Sequence, residues 1–250
     1  MIEFHNHVIP KIDDGSKNIE MSIDMIRKAH VEGTTCIINT VHYQHPRIED
    51  KSLDEINLQK SLLEKELEKE KIPISIISSA EVYFSDNLHE IIENPITTIA
   101  KKYMLIEFPT NLSPNGMKDV FFELQVRNIY PIIAHPERYS FVEKNPDIVK
   151  KWINKDYMIQ INSGSIVGDF GSRMQKLAFS LIRDNSCHLI GSDAHNNKDR
   201  NFCLKKSLEI VQKKFGDRNI EIINNNLNSL INGNDLKRIQ SKPKKKYWFF

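Results

Sequence analysis

The sequence predicts an α/β fold whose parallel strands close into a barrel. Three observations carry that expectation. Short apolar runs alternate with helical stretches seven times, and such alternation implies right-handed crossovers and a parallel sheet. No G-x-G-x-x-G follows the first run, which argues against a doubly wound dinucleotide-binding sheet. Nearly every run ends in a histidine or a carboxylate, the pattern expected where strand ends converge on one catalytic face.

The first run is 2–5. A helix at 18–32 follows, with Ile19, Ile23, Ile26 and His30 on one face and Gly33 as its stop. The second run, 35–41, ends at His42, and a charged helix over 51–71 is closed by Pro73. The third run, 74–80, ends at Glu81, with a weak helix at 86–93 behind it. The fourth, 103–106, ends at Glu107. Ser113-Pro114 then reads as an N-cap with proline at the first helical position, opening a helix that reaches Asn128. The fifth run, 130–134, ends at His135, and Asn145-Pro146 opens the next helix by the same signal. The sixth run, 157–161, ends at Asn162-Ser163 and leads to a helix over 171–185. The seventh, 187–191, ends at Ser192-Asp193-Ala194-His195, and helices at 199–215 and 217–231 close the fold.

Composition sets outer bounds. The chain has 250 residues, 40% hydrophobic and 27% charged, with a net charge of +2 that argues for no particular partner. No broad basic patch accompanies the strand-end residues, so no nucleic acid is expected. No run approaches a membrane span, and residues 1–10 lack a signal-peptide layout, so a cytoplasmic chain is expected. Cys36, Cys187 and Cys203 are widely spaced and outside any C-x-x-C, and read as reduced, mostly buried thiols.

The chemistry lies in the strand ends. His5 and His7 are two apart and share one face of an extended strand, and Asp14 follows in the loop. His42, Glu81, Glu107 and His135 end the next four runs, and Asp193 and His195 repeat the i, i+2 spacing on the seventh. These nine donors, five histidines and four carboxylates, exceed what one ion needs and suit two or three ions with bridging carboxylates. Nitrogen and oxygen donors without thiolate favour manganese, iron, zinc or magnesium. Three divalent ions against four carboxylates would leave the cup about two positive charges, a setting for a phosphate monoester. Such ions also lower the pKa of bound water from about 16 toward about 7. Arg138 follows His135, and Arg200 follows His195 at the start of a helix. A guanidinium grips phosphate oxygens through paired hydrogen bonds, so both are candidates for substrate binding and charge stabilisation. The first and seventh strands are neighbours in a closed barrel, so removing His5 or Asp193 should empty the same metal position.

At these residues the sequence resembles the bacterial capsule-type protein-tyrosine phosphatases of the polymerase and histidinol phosphatase (PHP) superfamily. The matching motifs are HNH at 5–7, DDGS at 13–16, TVH at 40–42, AEVYF at 80–84, LIEF at 105–108, IAHPERY at 133–139, QINSGS at 160–165 and GSDAHN at 191–196. The resemblance implies a distorted (β/α)7 TIM-like barrel of PHP type. One metallophosphatase domain would span 1–250, with a basic, aromatic tail at about 241–250. It implies a trinuclear, manganese-preferring centre on His5, His7, Asp14, His42, Glu81, Glu107, His135, Asp193 and His195, with Arg138 and Arg200 binding substrate. It also implies in-line attack by a metal-bound hydroxide without a phosphoenzyme. The implied partner is the tyrosine-rich tail of a membrane-associated bacterial tyrosine kinase that controls capsule or exopolysaccharide assembly. A small-molecule phosphatase, such as one acting on histidinol phosphate, uses the same ligands and stays open beside it. A cysteine mechanism does not. The residues six after Cys36, Cys187 and Cys203 are His42, Asp193 and Glu209, never the arginine a cysteine phosphatase loop needs.

Weaker signals remain. Tyr43, Tyr83, Phe84 and Tyr139 flank the ligands and are placed either to pack on a phosphotyrosine ring or to pack at the barrel rim. His45, three after His42, reads as an outer neighbour of the site or an exposed residue. His30, His89 and His188 read as structural or surface residues. The Lys-rich tail with Tyr247, Trp248, Phe249 and Phe250 offers at most a peripheral membrane contact.

Overall fold

The computed structural model describes residues 1–239. The basic, aromatic tail lies outside the described residues.

Seven strands run in parallel, each beside its sequence neighbour: β1 (Ile2–Phe4), β2 (Cys36–Tyr43), β3 (Ser75–Tyr83), β4 (Tyr103–Glu107), β5 (Tyr130–Ile133), β6 (Met158–Asn162) and β7 (Leu189–Gly191). Their β-branched and aliphatic residues are buried, as strands covered by helices outside and packed within must be. The circle closes where β1 meets β7. Asp193 N donates to His5 O at 2.6 Å, and His7 N donates to Ala194 O at 2.8 Å. A Cβ on Gly191 would lie 2.1 Å from Phe4 O, so only glycine permits this seam. The result is a nearly closed α/β barrel.

The outer layer begins with α1 (Ile19–Val31) and α2 (Leu53–Lys69). Asn18 caps α1, and Ser52 with Glu55 forms a reciprocal capping box on α2. It continues with α3 (Met117–Val126), α4 (Ser140–Lys144), α5 (Asp147–Ile153), α6 (Ser163–Val167) and α7 (Ser172–Arg183). It ends with α8 (Leu204–Phe215) and α9 (Asp217–Ile231). No helix among the described residues is long and apolar enough to cross a membrane.

Several local expectations are corrected. The buried stripe of α1 is Ser22, Met25, Ile26 and Ala29; of the expected face only Ile26 is fully buried, while Ile19, Ile23 and His30 are half-buried. The stripe includes a polar residue because the Ser22 hydroxyl donates to Val8 O at 2.6 Å. In place of a helix at 86–93 there are two 3-10 turns, Leu88–Glu90 and Pro95–Thr97, the second capped by the Asn94 side chain. Ser113-Pro114 does not open a helix. Gly116 sits at φ 70°, a left-handed break, and α3 starts only at Met117. Pro146 takes the N-cap of α5 rather than its first turn. The last crossover helix starts at Leu204, not near 199, so Arg200 lies in a loop. That loop is held by the site itself: Arg200 O accepts from His195 N at 2.8 Å and from Asn196 N at 3.1 Å. The short α4 and α6 have no counterpart in the sequence reading.

Candidate metal centre

Parallel register sets the first contacts. His42 pairs with Glu81, and Tyr83 pairs with Glu107, so neighbouring strands deliver their donors to one rim. At three strand ends the chain then turns through left-handed backbone: His5 at φ 67°, His135 at φ 30° and Asp193 at φ 53°. Each such residue costs about 1–3 kcal/mol and persists only where its surroundings impose it. Here the constraints are visible. His5 O accepts the Asp193 amide, and His135 N donates to Gln160 Oε1 at 3.0 Å. The loop after His7 folds back tightly enough that a Cβ on Gly15 would lie 2.3 Å from His7 O. That return places Asp13 and Asp14 against the histidines.

All nine donors singled out in the sequence meet in this cup, eight of them in three overlapping groups of metal-binding spacing and His135 beside them. One group is His7, Asp14, His42 and His195. The Asp14 carboxylate lies 3.3 Å from His195 Nε2 and 3.4 Å from His42 Nε2. A second is His5, His7, Glu81 and Asp193, with His5 Nε2 3.1 Å from Glu81 Oε2 and 3.6 Å from Asp193 Oδ1. The third is His42, Glu81 and Glu107. His135 Nε2 borders that third group, 3.0 Å from Glu81 Oε1 and 3.8 Å from Glu107 Oε1. Most of these side chains are buried, while Asp14 is half exposed at the rim.

Asp13, Gln160 and the Asp193 main chain aim the imidazoles, roles that the strand-end pattern does not reveal. His7 Nδ1 pairs with Asp13 Oδ2 at 2.7 Å, His5 Nδ1 with Gln160 Oε1 at 3.0 Å, and His195 Nδ1 with Asp193 O at 2.9 Å. Each bond fixes a tautomer that leaves Nε2 free to ligate. Gln160 Nε2 then donates to Asn162 Oδ1, and Asn162 Nδ2 donates to Asp193 Oδ2 at 2.9 Å. The sixth strand therefore supplies no ligand but ties β1, β5 and β7 together. Gln160 and Asn162 are i, i+2 at a strand end, the same signal that marked the other ligands, carried by amides instead.

The charges are unbalanced without a cation. Burial works to raise the Glu81 carboxyl, but His5, His135 and His7 outweigh it and hold it well below the ordinary carboxylate range. Burial and the neighbouring Glu81 charge push Glu107 up to about 8. Burial, with Arg138 beside it, lowers His135 to about 4. Glu107 and His135 are thus both pushed toward their neutral forms beside the Glu81 carboxylate, a setting that a bound cation would relieve. Buried His5 Nε2, His7 Nε2, Glu81 Oε2 and Glu107 Oε2 have no hydrogen-bond partner. Buried polar atoms rarely go unpaired, so the donor set fits hard or borderline divalent ions.

Arg138 and Arg200 both reach the site. Their guanidiniums lie 2.5 Å and 3.0 Å from Asp193 Oδ2. The Phe170 ring lies 5.5 Å from the Arg138 guanidinium carbon and packs against Gly164, where a Cβ would lie 2.8 Å from it. Both arginines line a cavity of about 390 Å³, as do His45, Arg47 and Tyr83. His45 packs against the site: its ring lies 4.8 Å from that of His42 and edge-on to Tyr83. Tyr139 is fully buried, its hydroxyl accepting from Phe108 N at 2.9 Å, so it cannot meet a substrate ring. Phe84 likewise packs on Phe108 and Phe121. Tyr43 receives a hydrogen bond from Asn94 at the barrel rim.

Fold and site together define a PHP-type α/β barrel whose strand ends gather His, Asp and Glu clusters fit for several metal ions. The chain belongs to the CpsB/CapC family of capsular polysaccharide synthesis, whose model matches residues 1–232. The tyrosine-protein phosphatase YwqE of Bacillus subtilis is 31% identical, with 100% of this chain and 99% of that protein covered. A solved chain from the work on YwqE of Bacillus subtilis and CpsB of Streptococcus pneumoniae, described there as unique metal-dependent tyrosine phosphatases, superposes with a TM-score of 0.92. It is 30% identical and covers 98% of this chain and 100% of its own. Histidinol phosphate phosphatase from Lactococcus lactis shares the fold, with a TM-score of 0.54 at 16% identity over 85% of this chain and 92% of that one.

Proposed function

We propose that this chain is a manganese-preferring protein-tyrosine phosphatase. Its substrate in this reading is the phosphorylated tail of a bacterial tyrosine kinase controlling capsule or exopolysaccharide synthesis, met in the cytoplasm. One observation carries the reading: three overlapping donor clusters, each with members in its lining, adjoin a single cavity that two arginines also line. His5, His7, Asp14, His42, Glu81, Glu107, His135, Asp193 and His195 would hold two or three divalent ions, with iron, zinc or magnesium as substitutes for manganese. When bound, those ions supply water of lowered pKa and neutralise charge on the phosphoryl oxygens.

The chain's own residues bind and orient. Arg138 and Arg200 enter from the Asp193 side and can each take non-bridging phosphate oxygens through paired hydrogen bonds. Their fixed positions would stabilise charge that builds on the phosphoryl group and hold the ester bond in line. Tyr83 and His45 line the same cavity and offer rings against which an aryl group can pack. No cysteine has an arginine six residues on, so a cysteinyl-phosphate route has no nucleophile here. The relatives' tyrosine phosphatase activity supports the substrate class, and the family's link to capsule synthesis supports the kinase partner.

The test is phosphate release from a phosphotyrosyl peptide, with manganese and with chelator. Turnover is expected only with metal, and activity that survives complete chelation overturns the reading. Arg138→Ala is expected to lose at least about 100-fold in kcat while retaining its metal. Unchanged turnover would remove Arg138 from the site.

A further inference from the structure

We infer a second subsite beside the metal cavity that holds the polypeptide flanking a phosphotyrosine; the inference rests on the phosphatase reading above. Thr110 and Arg138 line both the metal cavity and a neighbouring crevice of about 260 Å³. The crevice runs between the loop after β4, the start of α4 and the first turn of α7, and is lined by Asn111, Ser140, Glu143, Arg173 and Met174. Its waist is fixed, because Ser140 N donates to Thr110 O at 2.9 Å. A phosphate seated on Arg138 therefore has this opening directly beside it, and whatever is attached to the phosphotyrosine can continue into it.

The lining chemistry selects the occupant. Leu177 gives the crevice an apolar floor, while the Ser140 hydroxyl and the Asn111 amide offer both donors and acceptors. Arg173 Nε lies 3.2 Å from Glu143 Oε1, with the two side chains 73% and 37% exposed. So exposed a pair holds itself together weakly and can re-pair with a ligand. One cation and one anion side by side suit the N–H and C=O groups of a main chain better than a second phosphate. A small aryl phosphate has nothing to place there. The occupant is a peptide segment, which separates a protein phosphatase from a small-molecule phosphomonoesterase on the same ligands.

Met174→Trp and Asn111→Trp fill the crevice from opposite walls and leave the metal cavity alone. For a phosphotyrosyl heptapeptide, kcat/KM is expected to fall at least about tenfold in each, near 1.4 kcal/mol. For p-nitrophenyl phosphate it should stay within about twofold, which also reports that each variant is folded. Equal losses on both substrates in both variants, or unchanged peptide turnover in both, overturn the subsite. So does a wild-type protein that turns over the peptide no better than free phosphotyrosine. Failure of the wild type to release phosphate from any of these substrates with manganese would instead overturn the phosphatase reading.

Discussion

On the β1 and β7 side of the cup, each imidazole has its outward nitrogen engaged: His5 on Gln160, His7 on Asp13, His195 on the Asp193 carbonyl. On the β3, β4 and β5 side, His135 Nδ1 and Glu107 Oε2 are buried with no hydrogen-bond partner, and Glu107 lies beside the charge of Glu81. The first wall is oriented by the protein itself. In the second, His135 Nε2 pairs with Glu81, but burial and the Glu81 charge push the Glu107 carboxyl up, a cost that a bound cation would relieve. Ligands can thus be placed by hydrogen bonds or by the ion they bind, and this cup uses both.

Glu81 stands in both walls, so its loss should break the comparison most severely. Glu81→Ala is expected to lower turnover at least about 1000-fold. It should also remove more than one ion per chain by elemental analysis. His5→Ala and Asp193→Ala should each empty one position, and the same one. Full metal content in Glu81→Ala would show that the walls do not share it.

Stability without metal sharpens the contrast. Glu107→Gln removes one of two crowded carboxylates and is expected to stabilise the chelated protein by about 1 kcal/mol, a few degrees in Tm. Gln160→Ala removes an acceptor for His5 Nδ1 and His135 N. It should destabilise by about 1–2 kcal/mol with or without metal. Thermal unfolding in chelator and in manganese separates the two. Opposite signs from those stated would assign the preorganised wall to the other side.

The smallest effect is a control outside both walls. His188 is buried, its Nδ1 accepts from Ile159 N, and burial lowers its pKa from 6.5 to about 3. Between those values the unfolded chain binds a proton that the folded chain refuses, so stability falls as pH drops below 6.5. His188→Asn keeps an acceptor for Ile159 and should flatten that fall by about 0.7 kcal/mol between pH 7 and pH 6, read from urea midpoints. An unchanged pH slope would mean that His188 is charged in the fold.

The clustering of the donors was legible because all but Asp14 lie at or just past the end of an apolar run, and the barrel brings those ends to one face. The supports were harder to read. Gln160 and Asn162 occupy the same kind of position, but a neutral amide is as often a hydrogen-bonding residue as a ligand, and only the fold shows both bonded to site residues. Asp13 and Asp14 look alike in sequence. Only the fold of the loop over Gly15 sends one to His7 as a hydrogen-bond acceptor and the other to His42 and His195. Helix starts failed where a backbone feature overrode the local signal, at Gly116 and in the Arg200 loop. Tyr139 sits in a motif full of site residues yet points into the core, because chain proximity does not determine side-chain direction.

Asp193 divides its two oxygens between two tasks. Oδ1 faces the imidazoles of His5, His7 and His195, while Oδ2 holds Arg138, Arg200 and Asn162. An anion that draws the two guanidiniums toward itself leaves more of the carboxylate's charge for the ion on the other side. Anion and metal are then thermodynamically linked through one residue, and by reciprocity each must tighten the other's binding by the same factor.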